Sequence, residues 1–283
     1  MNALDRTVTR GSDHAASVNA GQAARRDRTL ERAARPRLPL ELISVPLSLL
    51  AGVVIWQWLV SARNLPSFIL PGPGRVAARF VTAWQDGTWW LHTRTTLTES
   101  LLGFALGFVI ATVLGYLLAH VPLLERLAAP YIAASQALPI VAIAPLLLLW
   151  LGFGLLPKVV VAALVVFFPI LINTITGLRR IDHSLVEVAQ VYGASRAQTF
   201  WLVELPLALP TMLGGVKIGF TLAVTGATVA EFMGASQGLG VLLNISKGLF
   251  DTPLLFVALL TLVVMAVLAY GLVSLLERVL VRW

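Results

Sequence analysis

Long apolar runs alternate with short polar segments along this chain, and the runs are about as long as a membrane is thick. Six of them reach about 20 residues or more, which a helix needs to cross a hydrocarbon layer of roughly 30 Å. We therefore predict an all-α membrane protein with six transmembrane helices, at about residues 38–62, 95–120, 127–156, 159–178, 207–233 and 253–276. Residues 1–37 are polar, rich in arginine and without the apolar core of a secretory signal, and we expect a disordered tail.

Composition agrees with this pattern. Hydrophobic residues make up 58% of the chain and charged residues 12%, whereas a soluble domain carries about 25% charged residues. The formal charge of +7 does not indicate a nucleic-acid partner, because the basic residues lie at the ends of the spans. With the amino terminus in the cytoplasm, the cytoplasmic segments hold fourteen lysines and arginines and the outer segments six, so both termini are predicted to be cytoplasmic.

Small residues recur at every fourth position of the second span, at Gly103, Gly107, Ala111, Gly115 and Ala119. One face of this helix is therefore almost free of side chains, and another helix can approach its backbone closely. We interpret the three glycines as helix-packing positions rather than ligand contacts.

Prolines and polar residues inside the spans are the candidates for a translocation path. Proline removes a backbone donor, and only a neighbouring helix or a cavity can satisfy the freed carbonyl at membrane depth. The fifth span also carries Lys217 and a glutamate close enough to the outer boundary to contact water. The candidate path residues are Pro139, Pro145, Thr221, Thr225 and Glu231, although simple packing kinks explain the prolines equally well.

The polar segment between the fourth and fifth spans, about residues 179–206, contains two helix-start signals. Ser184 and Glu187 have the spacing of a capping box, and Ser195 and Gln198 form a second one. Gly193 is placed to end the first helix, and Leu205-Pro206 to end the second. We predict a helix–glycine–helix elbow that faces a partner protein, because the first helix carries acidic charge and lacks the basic residues of a headgroup-bound helix.

Several motifs for chemistry are absent or incomplete. The chain has no cysteine, its histidines (His14, His92, His120 and His183) lack metal-ligand spacing, and no lysine follows a glycine as a nucleotide-binding loop requires. The GASQG sequence around Ser236 matches a nucleophile elbow, but no histidine follows it. We predict neither a catalytic nor a metal site.

The polar segment resembles the EAA signature of bacterial ABC importer permeases. The match runs from Glu187-Val188-Ala189 to Gly193 and, after nine residues, to Val203-Glu204-Leu205-Pro206. Valine replaces the first alanine and the isoleucine of that signature. Further segments, among them LPSFILPGPGRV, LPIVAIAPLLLLWLGFG and AEFMGASQGLG, resemble the nitrate/sulfonate/taurine branch, so that the resemblance covers about residues 45–283.

This resemblance implies the type I ABC importer permease fold in a bacterial inner membrane, with residues 38–283 as the permease domain. It implies a homodimer that works with two cytoplasmic ATPase subunits, which bind ATP and Mg, and with an extracytoplasmic solute-binding protein. The chain itself would catalyse no reaction and hold no cofactor. The residues implied to couple it to the ATPase are Glu187, Ala189, Gly193, Ala194, Leu205 and Pro206.

The resemblance leaves the solute open. Relatives in this branch carry aliphatic sulfonates, taurine, nitrate, bicarbonate or thiamine-precursor pyrimidines, and we expect a sulfonate-like anion first and a pyrimidine as the alternative. A secondary carrier would need two repeated halves, which the sequence lacks. A membrane hydrolase would need partners for Ser236.

Overall fold

The computed structural model describes residues 40–63, 66–137 and 139–281, so the predicted tail 1–37 lies outside the described residues. The chain divides into two compact units, one up to Trp58 and one from Leu59 onward. Helix α1, Leu40–Arg63, crosses this boundary, and nearly all of its described side chains are exposed.

The second unit is built from helices alone over its described residues. They are α2 (Pro73–Gln85), α3 (Thr88–His120), α4 (Pro122–Gln136), α5 (Ile140–Leu151), α6 (Leu155–Arg179), α7 (His183–Val191), α8 (Arg196–Thr199), a π-helical turn (Phe200–Glu204), α9 (Leu205–Gly234), α10 (Leu239–Gly248) and α11 (Thr252–Leu280). Five helices of the described chain are long and apolar enough to cross a membrane, and six if α4 and α5 count as one span. The predicted all-α membrane fold is confirmed.

The third span, predicted at about residues 127–156 with prolines that break or kink it, consists of two helices. Helices α4 and α5 meet at 97°, and Pro139 precedes α5 with an extended backbone (φ −70°, ψ 112°). Proline has no amide to donate, and its ring disfavours helical geometry in the residue before it. The proline therefore separates two helices instead of bending one.

Helix α6 lies between α3 and α9 and forms the core with them. A Cβ added to Gly107 would lie 2.7 Å from the Ala163 carbonyl oxygen, and one added to Gly115 would lie 2.8 Å from Cβ of Thr174. Gly103 likewise faces Ala162. The three glycines thus lie where the backbones of α3 and α6 touch, beside a buried cluster of Ala111, Leu118, Val166, Ile170, Leu171 and Ala223.

The bundle has two different ends. The elbow end carries α7 and α8, and the loop end carries the starts of α3 and α6 and the end of α9. At the loop end, α2 lies in the connector between the first and second predicted spans. Arg79 of α2 donates to Asp251 at 2.8 Å, and Trp89 of α3 donates to Thr261 of α11 at 2.9 Å, so α2 and α3 are fixed to α11.

Candidate functional site

The first helix of the elbow begins two residues before the predicted position. Asp182 is the N-cap of α7 and accepts a hydrogen bond from the Ser184 amide at 3.0 Å. The predicted capping box of Ser184 and Glu187 is therefore wrong, because the earlier carboxylate satisfies the free amide and Ser184 lies within the helix. Hydrogen bonds from the Ser184 amide and then from its hydroxyl lower the pKa of the Asp182 carboxyl.

Gly193 ends α7 in a Schellman motif. Its φ of 84° lies in the left-handed region, which glycine adopts without steric penalty. The Gly193 amide donates to the Gln190 carbonyl at 2.9 Å, and the Ala194 amide donates to the Ala189 carbonyl at 3.0 Å. This is the hydrogen-bond pattern of that motif, and it fixes the direction in which the chain leaves α7.

The second helix starts at Ser195, and it does not end at Leu205-Pro206 as predicted. Both capping-box bonds are present: Gln198 N donates to Ser195 Oγ at 3.3 Å and Ser195 N donates to Gln198 Oε1 at 2.8 Å. From Arg196 the chain remains helical to Gly234. A π-helical turn precedes Pro206, with the Leu205 amide bonded to the Phe200 carbonyl. Because the wider turn accommodates the proline ring, the elbow continues directly into α9.

Helix α7 presents an apolar surface to solvent. The exposed fractions are 47% for Leu185, 53% for Val188, 85% for Val191 and 87% for Tyr192. Beside this surface lies a groove of about 510 Å³ lined by Leu185, Val188, Ala189, Leu202, Val203, Pro206 and Leu207.

The structure brings only some of the coupling residues together. Ala189 and Pro206 share the apolar groove. Glu187 and Gly193 are exposed, whereas Ala194 and Leu205 are half-buried. The surface of α7 can therefore contact a partner, while Leu205 and Pro206 belong to the junction with α9.

The elbow is connected to the end of α3 by polar and aromatic contacts. His120 Nε2 lies 3.1 Å from Glu204 Oε2, and the rings of Tyr116 and Phe200 meet edge to face at 5.1 Å. A polar cleft of about 740 Å³ separates the elbow from the bundle, with His120, Arg179, His183, Arg196 and Glu204 among its lining residues. Movement of the elbow would thus reach both α9 and α3.

A second polar cluster is buried at the loop end, and sequence reasoning missed most of it. Lys158 of α6 donates to Glu99 of α3 at 2.5 Å, with side-chain exposures of 9% and 1%. Thr96 donates to Glu231 Oε1 at 2.6 Å, and His92 contacts Gly238. The available signal was the presence of ionisable residues next to apolar spans. Starting the second span at residue 95 and the fourth at 159 left His92 and Lys158 in the loops.

The candidate path residues differ in their surroundings. Glu231 is 1% exposed, which contradicts the expectation that it contacts water, since Thr96 and the Gly240 amide occupy its oxygens. Thr221 donates to the Lys217 carbonyl of its own helix at 2.9 Å. Pro139, Pro145 and Thr225 are exposed. Lys217 of the same span is bonded to Glu277 of α11.

The described residues also contain no group of three metal-ligating side chains. Ser236 is exposed just after the end of α9, and not on the strand-to-helix turn that a nucleophile elbow requires.

Comparisons with known proteins agree with this architecture. Residues 103–282 match the family described as binding-protein-dependent transport system inner membrane component. The chain is 51% identical over 258 residues, 91% of its length and 94% of the relative, to the riboflavin transport system permease protein RibX of Chloroflexus aurantiacus. It is 35% identical over 231 residues, 82% of its length and 88% of the relative, to the putative aliphatic sulfonates transport permease protein SsuC of Escherichia coli.

A solved structure supports the fold independently. The inward-facing MetNI methionine ABC transporter matches with a TM-score of 0.58 at 22% identity, covering 67% of this chain and 94% of that one. With its helical spans and its EAA-like elbow, the chain belongs to the binding-protein-dependent transport system inner membrane component family.

Proposed function

We propose that the chain is the transmembrane subunit of an ATP-driven importer, and that α7 docks on an ATPase. The observation that carries this proposal is the exposed apolar surface of α7, held rigidly between the Asp182 cap and the Gly193 stop. In this proposal the elbow end faces the cytoplasm, as the distribution of basic residues predicts. A second copy completes the path, the ATPases bind ATP and Mg, and a solute-binding protein docks at the loop end.

In this importer the elbow connects the ATPases mechanically to the transmembrane helices. ATP binding favours one state of the ATPases and a loaded binding protein favours one state of the permease, so their preferences are linked through the connecting element. Motion of α7 passes along the continuous helix from Arg196 into α9. It also passes through His120 and Glu204 into α3. The helices that pack on α6 therefore respond together.

Co-purification tests the docking. Gly193→Pro is incompatible with a φ of 84° and should abolish capture of an ATPase by the tagged permease. Gly193→Asn is the matched control, because asparagine tolerates the left-handed region, and it should retain capture. Glu187→Lys reverses an exposed charge on α7 and should also weaken capture. Solute uptake that continues without any ATPase would contradict the proposal.

For the solute, we propose riboflavin or a similarly flat nitrogen heterocycle in place of the sulfonate-like anion first expected. The identity of 51% to a riboflavin permease against 35% to a sulfonate permease supports this choice. The pairing of two lysines also supports it. Lys158 and Lys217, the lysines at membrane depth, are both paired with glutamates, and a sulfonate would need a free cation to replace its water.

Calorimetry on the co-purifying binding protein distinguishes the candidates. Riboflavin, taurine and an aminopyrimidine are titrated separately into the purified protein. We expect saturable binding of riboflavin and none of taurine. Binding of taurine alone would restore the sulfonate assignment, and binding of the aminopyrimidine alone would select the other alternative.

A further inference from the structure

Helix α10 begins in the protein interior, where its first amides cannot reach water. The first amides of any helix lack partners within that helix. Here three consecutive ones find side chains: Gly238 N donates to His92 Nδ1 at 3.0 Å, Leu239 N to Thr96 Oγ1 at 2.7 Å, and Gly240 N to Glu231 Oε2 at 2.6 Å. The first two acceptors belong to α3 and the third to α9. We call these three side chains the α10 clamp.

Two of the three clamp side chains are bonded to each other. Thr96 accepts from Leu239 and also donates to Glu231 at 2.6 Å, which links α3 to α9 through the start of α10. The Glu231 carboxylate also lies where a helix favours negative charge. Each residue of the clamp is less than 10% exposed, and no described polar side chain in it lacks a partner.

Glycines let the backbone approach the carboxylate this closely. Gly238 has a φ of 127°, and a Cβ there would overlap the Glu231 carboxyl group. A Cβ on Gly240 would lie 2.9 Å from Glu231 Oε2 and 2.6 Å from the Thr228 carbonyl oxygen. The GASQGLG sequence is thereby explained by the fit of this segment against Glu231, and not by a serine nucleophile.

The chain just after α10 is also held by side-chain hydrogen bonds. Asp251 accepts from the Leu254 amide at 3.1 Å and from Arg79 at 2.8 Å. Between the two ends, Leu249 and Phe250 are 71% and 77% exposed. Phe250 has a φ of 56°, a left-handed conformation that is costly for a bulky residue and persists only where the surroundings impose it. Residues 239–250 thus form a rigid arm that projects two large apolar side chains at the loop end.

We propose that Thr96 and Glu231 are positioning residues of the transport cycle: they clamp the arm 239–250 to α3 and α9, so that the arm moves with these helices and reports their state to the docked solute-binding protein. This inference rests on the proposed importer function for its last step only. The elbow drives α3 and α9 from the other end of the bundle, and the clamp transmits that motion to the surface where the binding protein docks.

Hydrogen exchange on the full chain in lipid nanodiscs tests the clamp without any solute or partner. Thr96→Val keeps the shape but removes the hydroxyl, and the amides at 238–240 should exchange at least tenfold faster. Thr96→Ser should keep the wild-type protection. Thr98→Val is the matched control, since Thr98 is an exposed threonine of the same helix whose hydroxyl donates to the Arg94 carbonyl at 2.9 Å. Unchanged protection in Thr96→Val would overturn the clamp.

ATP hydrolysis by the assembled transporter then tests the positioning role. Rates are measured without binding protein and with binding protein that has been incubated with riboflavin. In Thr96→Val and Glu231→Gln we expect basal hydrolysis within twofold of wild type but a loss of the stimulation, and Thr96→Ser should restore it. If basal and stimulated rates fell in the same proportion, the clamp would be structural only and the proposal would be wrong.

The two experiments distinguish a failure of the clamp from a failure of the proposed function or of the proposed solute. If the wild-type permease captured no ATPase, the proposed function would fail while the exchange result would still decide the clamp. If riboflavin gave no stimulation of the wild type, only the proposed solute would fail, and the basal rates and exchange data would remain interpretable.

Discussion

The helices of the elbow end and helix α10 of the loop end are capped in opposite ways. At the elbow end, α7 and α8 are capped by residues two or three positions away, Asp182 for Ser184 and Ser195 for Gln198, all of them exposed. At the loop end, α10 is capped by His92 and Thr96 from 146 and 143 residues away, and the contacts are buried. The exposed elbow helices take their caps from neighbouring residues of the chain, whereas α10, which starts inside the bundle, takes its caps from other helices.

The reason is the availability of water. An exposed amide that loses its cap can bond to solvent, so an N-cap contributes only about 0.5–2 kcal/mol. A buried polar group that loses its partner pays the full desolvation penalty, about 1–3 kcal/mol and more for a charge. The two ends should therefore respond very differently to single substitutions, and three predictions test this difference.

The largest effect is expected where the loop end buries charge. Lys158→Met leaves Glu99 at 1% exposure without its cation, and breaking a buried pair from one side typically costs about 3–5 kcal/mol. We expect a markedly lower unfolding midpoint in detergent, measured by size-exclusion chromatography after heating. The elbow should not contribute to this decrease in the unfolding midpoint.

Two further variants sharpen that test. Lys158→Met combined with Glu99→Gln removes both charges and should recover most of the lost stability, because replacing a buried pair as a whole is often neutral. Lys247→Met removes an exposed lysine of α10 and should leave the midpoint nearly unchanged. A double variant as unstable as Lys158→Met alone would show that packing, and not the unpaired charge, explains the loss.

The difference between local and distant contacts also explains which features could be predicted from the sequence. Apolar runs and the small-residue repeat from Gly103 lead directly to the spans and to the α3–α6 contact. Gly193 and Ser195 carry their interactions within five residues, so the elbow can be predicted from its own segment. The error at Ser184 is also local, because Asp182 offers an equally good cap two residues earlier.

The contacts at the loop end could not be predicted from the local sequence in this way. Nothing in the GASQGLG segment shows that its amides need Thr96, since the partners meet only after α3 and α9 have packed on α6. The break at Pro139 is similar, because a proline predicts a disturbance but not its angle. The solute is more remote still, since Lys158 and Lys217 are paired with Glu99 and Glu277 and so do not mark a ligand site.

An intermediate effect is expected at the second elbow helix. Ser195→Ala removes the hydroxyl that accepts from Gln198 N at 3.3 Å and should destabilise α8 locally by about 1 kcal/mol. Exchange of the amides at 197–199 should accelerate by roughly fivefold to tenfold, which is the rate equivalent of that free energy, without a change in the unfolding midpoint of the bundle. Ser184→Ala is the comparison, because the substitution keeps the Ser184 backbone amide that Asp182 caps. Only the contact of the Ser184 hydroxyl with Asp182 is lost, so α7 should fray less than α8. If Ser184→Ala frayed α7 as strongly as Ser195→Ala frays α8, the assignment of Asp182 as N-cap would be wrong.

The smallest effect is the pH dependence of the Asp182 cap. The hydrogen bond from the Ser184 amide, followed by that from the Ser184 hydroxyl, lowers the pKa of this carboxyl in the folded protein. A carboxyl with a lowered pKa stabilises the folded state above its unfolded pKa of about 3.9, and the contribution disappears as the pH falls through the folded value.

Carbon-13 NMR of labelled aspartates should show Asp182 titrating below that unfolded value, with Asp182→Asn identifying the signal. Asparagine can still cap the helix, so the variant should keep α7 folded but remove the contribution of Asp182 to its pH dependence. A midpoint at or above 3.9 would mean that water, and not the carboxylate, holds the Ser184 amide, and the elbow would then lack the rigid start on which its coupling role depends.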